Sequence, residues 1–199
     1  KGPEATKAKV QASLADFGKK ATAQDILVVM LIGHGTYDGT DYKFNVPGPD
    51  VSATDLASFM DKVPAGKQLV VNMTSASGGS LVALQRPNRA VVMATKSGTE
   101  KNATVFPRYF AEALRDPGAD TDKNDVISAL EAFKYAEQKT AKFYTTENRI
   151  ATEHPVLEDT GNGQAVKDPS PANGQGLLAA RFPLLRVGAA QAVAKDPAK

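Results

Sequence analysis

Ile26 to Gly39 reads ILVVMLIGHGTYDG. Seven apolar residues run without interruption and stop at Gly33-His34-Gly35. A second stretch, Gln68 to Gly79, repeats the arrangement. There QLVVNMTSASGG passes from a short apolar run into the small-residue turn Thr74-Ser75-Ala76-Ser77-Gly78-Gly79. Uninterrupted runs rich in Val, Ile and Leu are expected of strands buried on both faces of a parallel sheet. In open parallel sheets the chemistry gathers beyond the carboxyl ends of the strands. The reading therefore sets a histidine and a serine at the tips of two strands, facing one another.

Outward from these two stretches, strands and helices are expected to alternate. Val10, Leu14 and Phe17 recur at helical spacing within Pro3–Lys19, with Gly18 as a stop signal. Residues 36–49 read as a polar, Gly-rich loop able to wall a cleft. Ser52, with Asp55 three residues on, caps a helix that buries Leu56, Phe59 and Met60. Ser77–Gln85 turns into another helix, Ala90–Thr95 is a third strand ending in a loop over 96–102, and Thr104–Leu114 is a helix with aromatics on one face. Ala129–Tyr144 is a long helix, and residues 146–176 are loop. Leu177–Val187 is a last strand held to an edge by Pro183, and residues 191–199 are a frayed tail. The pattern is α/β with a mostly parallel sheet in a single domain over residues 1–190.

Composition narrows the function classes. The 199 residues carry 24 Lys and Arg against 22 Asp and Glu, well interspersed, for a net charge of +2. No basic stripe for nucleic acid stands out, and no apolar run is long enough to span a membrane. Cysteine is absent, which excludes disulfides, thiolate metal sites and a thiol nucleophile.

Three chemistries compete for the strand tips. A dinucleotide fingerprint would need a third glycine where Asp38 stands, and no Gly-Lys-Ser/Thr follows. An esterase elbow would need glycine at both Met73 and Ser77. The remaining pattern is an apolar strand ending in His-Gly, here Leu31-Ile32-Gly33-His34-Gly35, followed by one ending in Thr74-Ser75-Ala76-Ser77-Gly78. This ordered pair resembles the caspase- and legumain-type cysteine peptidases. Residues 90–101 resemble the third strand and loop of legumain-like proteins, and residues 106–114 the helix after it. The likeness runs over residues 5–165.

The resemblance implies a caspase-like three-layer sandwich and a peptide or protein as substrate or ligand. It assigns His34 as the base, position 75 as the nucleophile, and the N–H groups of Gly35 and Ser75 as the oxyanion donors. The chain departs from the pattern in two ways. Position 75 holds serine, which lacks the thiol's pKa of about 8.5 and needs a well-oriented base. The family's strand, helix and strand before the His-bearing strand have only one helix in their place. Either the chain is then a fragment of a precursor whose upstream part completes the sheet, or the upstream half lies on another chain, since the long apolar edge left open needs a cover. In order, Ser75 reads as a natural replacement making a pseudopeptidase, as a cysteine-to-serine variant trapping an inactive form, or as a working serine nucleophile. Asp38 and Asp41 are the nearest carboxylates to orient His34. The competing class is a non-catalytic binding or scaffolding module.

A second motif lies at Asp120–Glu131, DTDKNDVISALE. It has the oxygen-ligand pattern of an EF-hand calcium loop: Asp120, Asp122, Asn124, Val126 through its carbonyl, Ser128 through water, and Glu131. Asp125 stands where glycine is usual, although Asp tolerates the left-handed conformation. Calcium here would be structural. The alternative is a solvated turn in which Ser128 and Glu131 cap the next helix. Residues 158–163 and His154 read as loop.

Overall fold

The computed structural model describes residues 4–187, so the tail expected at 191–199 lies outside the described residues. In chain order the elements are α1 (Lys7–Lys20), β1 (Ile26–Leu31), β2 (Gly35–Tyr37), β3 (Tyr42–Phe44), β4 (Val51–Ser52), α2 (Ala53–Asp61), β5 (Lys67–Asn72), α3 (Leu81–Leu84), β6 (Arg89–Met93), α4 (Phe106–Ala113), β7 (Val126–Ser128), α5 (Ala129–Thr146), β8 (Val156–Glu158) and β9 (Pro183–Arg186).

The central sheet has the order β1-β5-β6-β8. β1, β5 and β6 are parallel, and β8 closes the far edge antiparallel to β6. The two faces carry separate cores. Leu69, Val71, Ala90, Val92 and Leu157 meet Phe106, Phe110, Ala132, Phe133 and Ala136 of α4 and α5. Leu27, Leu31, Val70, Val91 and Met93 meet Leu14, Leu56, Phe59 and Met60 of α1 and α2. Alternate residues of each strand thus feed opposite cores, which is why β5 and β6 read as continuous apolar runs. The result is a three-layer α/β sandwich.

β1 departs from the expected burial on both faces. It is the edge strand, paired only with β5 among the described residues, and Ile26, Val28 and Met30 remain exposed. An apolar run alone does not distinguish a central strand from an edge strand whose outer side is bare. Helix α1 also extends past Gly18, which is no stop. A Cβ at Gly18 would lie 3.1 Å from the Lys62 carbonyl oxygen, so this glycine lets α1 lie close to the end of α2.

Two stretches read as loop carry strands, and the last strand lies elsewhere than on the central sheet. Residues 36–49 contain the β2–β3 hairpin, which extends through β4 into a small antiparallel sheet. Its turn is built by Asp38, whose Oδ1 accepts from the N–H groups of Thr40 and Asp41. β8 lies within 146–176. Residues 177–187 hold a turn of 3₁₀-helix and then β9, which pairs with β7 and not with the central sheet. The Ser52 cap forms as a full capping box with Asp55.

Candidate functional site

The turn after β5 is held by buried polar side chains. Tyr42 Oη contacts Thr74 Oγ1 at 2.7 Å and donates to Asn72 Oδ1 at 3.2 Å. Asn72 Nδ2 donates to Ser80 Oγ at 3.2 Å. Burial pushes the Tyr42 phenol up to about 12, despite its partners Thr74 and Asn72, so it keeps its proton at neutral pH. Ser77 Oγ accepts from the Thr95 N–H at 3.0 Å and ties the turn to the end of β6. Ala76 takes the left-handed conformation at φ 57°, and its N–H donates to the Glu100 carbonyl at 2.8 Å.

Ser75 follows this network, nearly buried. Its hydroxyl donates to the Gly35 carbonyl at 3.0 Å. The tips of β1 and β5 therefore touch. Only glycine fits at position 35, because a Cβ there would lie 2.4 Å from Thr74 Oγ1 and 2.5 Å from the Ser75 carbonyl oxygen. Tyr37 covers the same end of the sheet: Cβ atoms at Gly79 and Gly98 would come within 2.6 and 2.3 Å of its ring. The wall expected from residues 36–49 is thus the hairpin, with Tyr37 lying on two glycines.

His34 is exposed, and its carbonyl accepts from the Asn45 N–H at 3.0 Å. Among the described residues its imidazole makes no hydrogen bond to a carboxylate. Asp38 is committed elsewhere. Its carboxylate is held well below the usual range by the N–H groups of Asp41 and Thr40 and by Lys43. The Ser75 hydroxyl donates to a peptide carbonyl, and among the described residues no carboxylate hydrogen-bonds the imidazole, the contact that a Ser-His-carboxylate relay would use.

The second site is the 120–131 loop. One oxygen each from Asp120, Asp122 and Glu131 lie within 4.8 Å of one another, so this group could hold a metal ion. Lys123 and Asp125, fourth and sixth in the loop, have φ of 59° and 63°, and at the sixth position this is the left-handed turn that glycine usually supplies. Asp120 accepts from the N–H groups of Asn124 and Asp125, folding the loop back on its first carboxylate. Glu131 also caps α5. Its Oε2 accepts from the Ser128 N–H and hydroxyl, while Oε1 accepts from Thr121 and Asp122. Burial opposes its ionisation, but bonds from Ser128, Thr121 and Asp122 outweigh that and hold its carboxyl below 4.5. Capping and the acidic group therefore share one side chain.

Several long-range partners have no signal in the sequence. His154 Nδ1 contacts Glu100 Oε1, and Glu100 Oε2 accepts from the His154 N–H at 3.2 Å. Glu153, buried, accepts from the Val105 and Phe106 N–H groups at the start of α4 and from Tyr144 Oη. Glu158 and Asp159 fold the chain locally: Glu158 Oε1 takes the N–H groups of residues 160–162, and Asp159 those of Gly176, Leu178 and Ala179.

No family model and no curated protein matches the chain. Among solved structures it is similar to the crystal structure of protein GSU0716 from Geobacter sulfurreducens, with a TM-score of 0.53 and 12% identity, over 85% of this chain and 77% of that one. At that identity the likeness is one of fold alone.

Proposed function

We propose that the chain is a caspase- or legumain-like peptidase domain that is inactive with serine at position 75. The observation that carries this reading is the contact between the two strand tips: Ser75 Oγ lies 3.0 Å from the carbonyl of Gly35, the residue next to His34. This contact supports the reading, which needs a side chain at position 75 close to the His-bearing tip. The inactivity follows from the committed Ser75 proton and the imidazole without a carboxylate. A thiol at the same position needs less help, because its pKa of about 8.5 already gives some thiolate near neutrality. It would pass its proton to His34 and attack a peptide carbonyl. The amine would leave with that proton, and water would then release the acyl group from sulfur.

The test is Ser75→Cys assayed against a broad peptide library. Activity is expected in Ser75→Cys and not in the parent, and His34→Ala in the Ser75→Cys background should abolish it. An inert, folded Ser75→Cys protein would favour the competing reading, a non-catalytic binding or scaffolding module. Covalent labelling of the parent at Ser75 by a serine-directed phosphonate would overturn inactivity.

Calcium belongs to the same proposal, in a structural role. Asp120, Asp122 and Glu131 would supply carboxylates, Asn124 its amide oxygen, Val126 its carbonyl, and Ser128 a contact through water. A hard cation taking 6–8 oxygens would relieve the repulsion among the three carboxylates and tie the α4 end of the loop to α5.

A further inference from the structure

The C-terminal half of α5 and the chain that turns back along it enclose a pocket of about 400 Å³, whose polar lining includes Glu137, Thr140, Tyr144, Arg149, His154 and Lys167. Buried polar atoms in a folded protein nearly always have a hydrogen-bond partner, so an orphan calls for an explanation. Among the described residues the orphaned side-chain oxygens are Gln85 Oε1, Glu137 Oε1, Thr140 Oγ1 and Glu158 Oε2. Glu137 and Thr140 both line this one pocket, neighbours at helical spacing on α5. Thr140 is only 1% exposed. Its hydroxyl does not reach back to the helix carbonyl four residues before it, as the hydroxyl of Thr145 does to Ala141 at 2.8 Å.

Most of the other polar groups around the pocket are engaged. Tyr144 Oη donates to Glu153, and His154 is held by Glu100. Lys167 Nζ stands 3.3 Å from Glu137 Oε1 without the direction of a hydrogen bond, and its side chain is 61% exposed, so water screens the pair. Arg149 completes the set. Its backbone N–H donates to the Tyr144 carbonyl at 2.9 Å, which returns it to the side of α5. Its guanidinium lies 5.9 Å from the centre of the Phe143 ring and has no carboxylate partner among the described residues. The pocket thus offers an acidic acceptor and a hydroxyl from one stretch of α5 and an unpaired cation beyond the end of that helix. None of the strand-tip residues His34, Gly35 and Ser75 lines it.

These groups select a ligand by charge and by length. A simple anion leaves the Glu137 oxygen without a donor, and a simple cation leaves Arg149 without an acceptor. A zwitterion answers both: its ammonium donates to Glu137 Oε1 and Thr140 Oγ1, and its carboxylate accepts paired N–H groups from Arg149. From Glu137 to Tyr144, where Arg149 returns, the helix rises about 10 Å. Three residues of extended chain cover about 10 Å, and a single amino acid about a third of that. Both charged ends must lie in one pocket, which a longer chain meets only by folding back on itself. Ala141, Ala151 and Pro155 give the pocket an apolar wall suited to small side chains. We propose that this pocket binds a short free peptide of about three residues, its ammonium toward Glu137 and Thr140 and its carboxylate toward Arg149.

The test is calorimetric titration of the 199-residue protein with trialanine, beside the same peptide acetylated at its N-terminus and the same peptide amidated at its C-terminus. Trialanine is expected to bind saturably, one per chain. Blocking either end should weaken it about tenfold or more, as should Glu137→Gln and Arg149→Ala, since each change removes a charge-assisted contact. Thr140→Val gives a readout that a merely structural role would not produce. It exchanges an unpaired buried hydroxyl for a methyl of the same shape, so the variant should melt at or above the parent while its trialanine binding weakens. No saturable binding at millimolar trialanine overturns the proposal and leaves the pocket to water. Equal affinity for the blocked peptides overturns it as well. So does binding that survives all three substitutions, because the peptide would then sit elsewhere, the strand tips included. A Thr140→Val protein that melts below the parent also overturns it, because the hydroxyl would then have a partner within the fold.

Discussion

Replacing Glu131 by Gln separates the two tasks of that side chain. The carboxylate accepts from Ser128 N–H at 2.9 Å and Ser128 Oγ at 2.8 Å on one oxygen. On the other it accepts from Thr121 N–H at 2.9 Å, Thr121 Oγ1 at 3.1 Å and Asp122 N–H at 3.3 Å. An amide keeps one acceptor and puts a donor in place of the other. The less costly orientation turns the NH₂ toward Ser128, whose hydroxyl can rotate to accept but whose backbone N–H loses its partner. One buried, charge-assisted bond is then lost, at about 1.5–3 kcal/mol. For a protein of this size each kcal/mol moves the melting temperature by about 2–4 °C, so Glu131→Gln should melt roughly 3–12 °C lower in chelator.

Calcium should widen that gap. A ligand at a hundred times its dissociation constant stabilises the folded parent by about 2.7 kcal/mol, and the variant should gain much less. Differential scanning calorimetry with chelator and with excess calcium measures both terms. Equal melting of parent and variant in chelator would refute the capping argument. An equal calcium response in the two would refute Glu131 as a ligand, and identical parent curves in both buffers would remove the metal site. The pH dependence has a definite sign. The folded carboxyl lies below its ordinary 4.5. Its contribution is therefore full above the unfolded value and is lost as pH falls through the folded value. The gap between parent and variant should close on acidification through that window.

Two further substitutions probe the frame around the strand tips. Gly35→Ala forces a Cβ to within 2.4 Å of Thr74 Oγ1 and should cost about 1–3 kcal/mol by overpacking; a denaturant midpoint equal to the parent's would mean that the tips do not meet as described. Glu153→Ala strands the Val105 and Phe106 N–H groups at the start of α4, at about 1–3 kcal/mol for each donor left unpaired in the interior, and unchanged hydrogen exchange in α4 would refute it. Because burial raises the Glu153 carboxyl above 4.5, its ionisation should cost stability as pH rises from the unfolded toward the folded value, and the variant should lack that slope.

What could be read from the residues alone divides by the range of the interactions. β5 and β6 announce themselves because each of their side chains enters one of two cores, and the run of Val and Leu is the direct record of that. β8 has only three residues and ends in Glu158, a carboxylate that looks like loop until the N–H groups gathered on it are seen. The β2–β3 hairpin did carry a signal, Asp38-Gly39 between two tyrosines, which the surrounding polar residues outweighed in the reading. His34 and Ser75 are candidates because strand ends concentrate chemistry, so single residues there stand out without knowledge of their partners. Their partners were not legible. Tyr42 meets Asn72 from 30 residues away, and His154 meets Glu100 from 54, separations over which no periodicity connects one residue to the other. The same limit explains the misreading of β1. Its apolar run reports what its side chains prefer, whereas an edge is defined by which backbone groups lack a neighbour, and a strand's own residues do not record that.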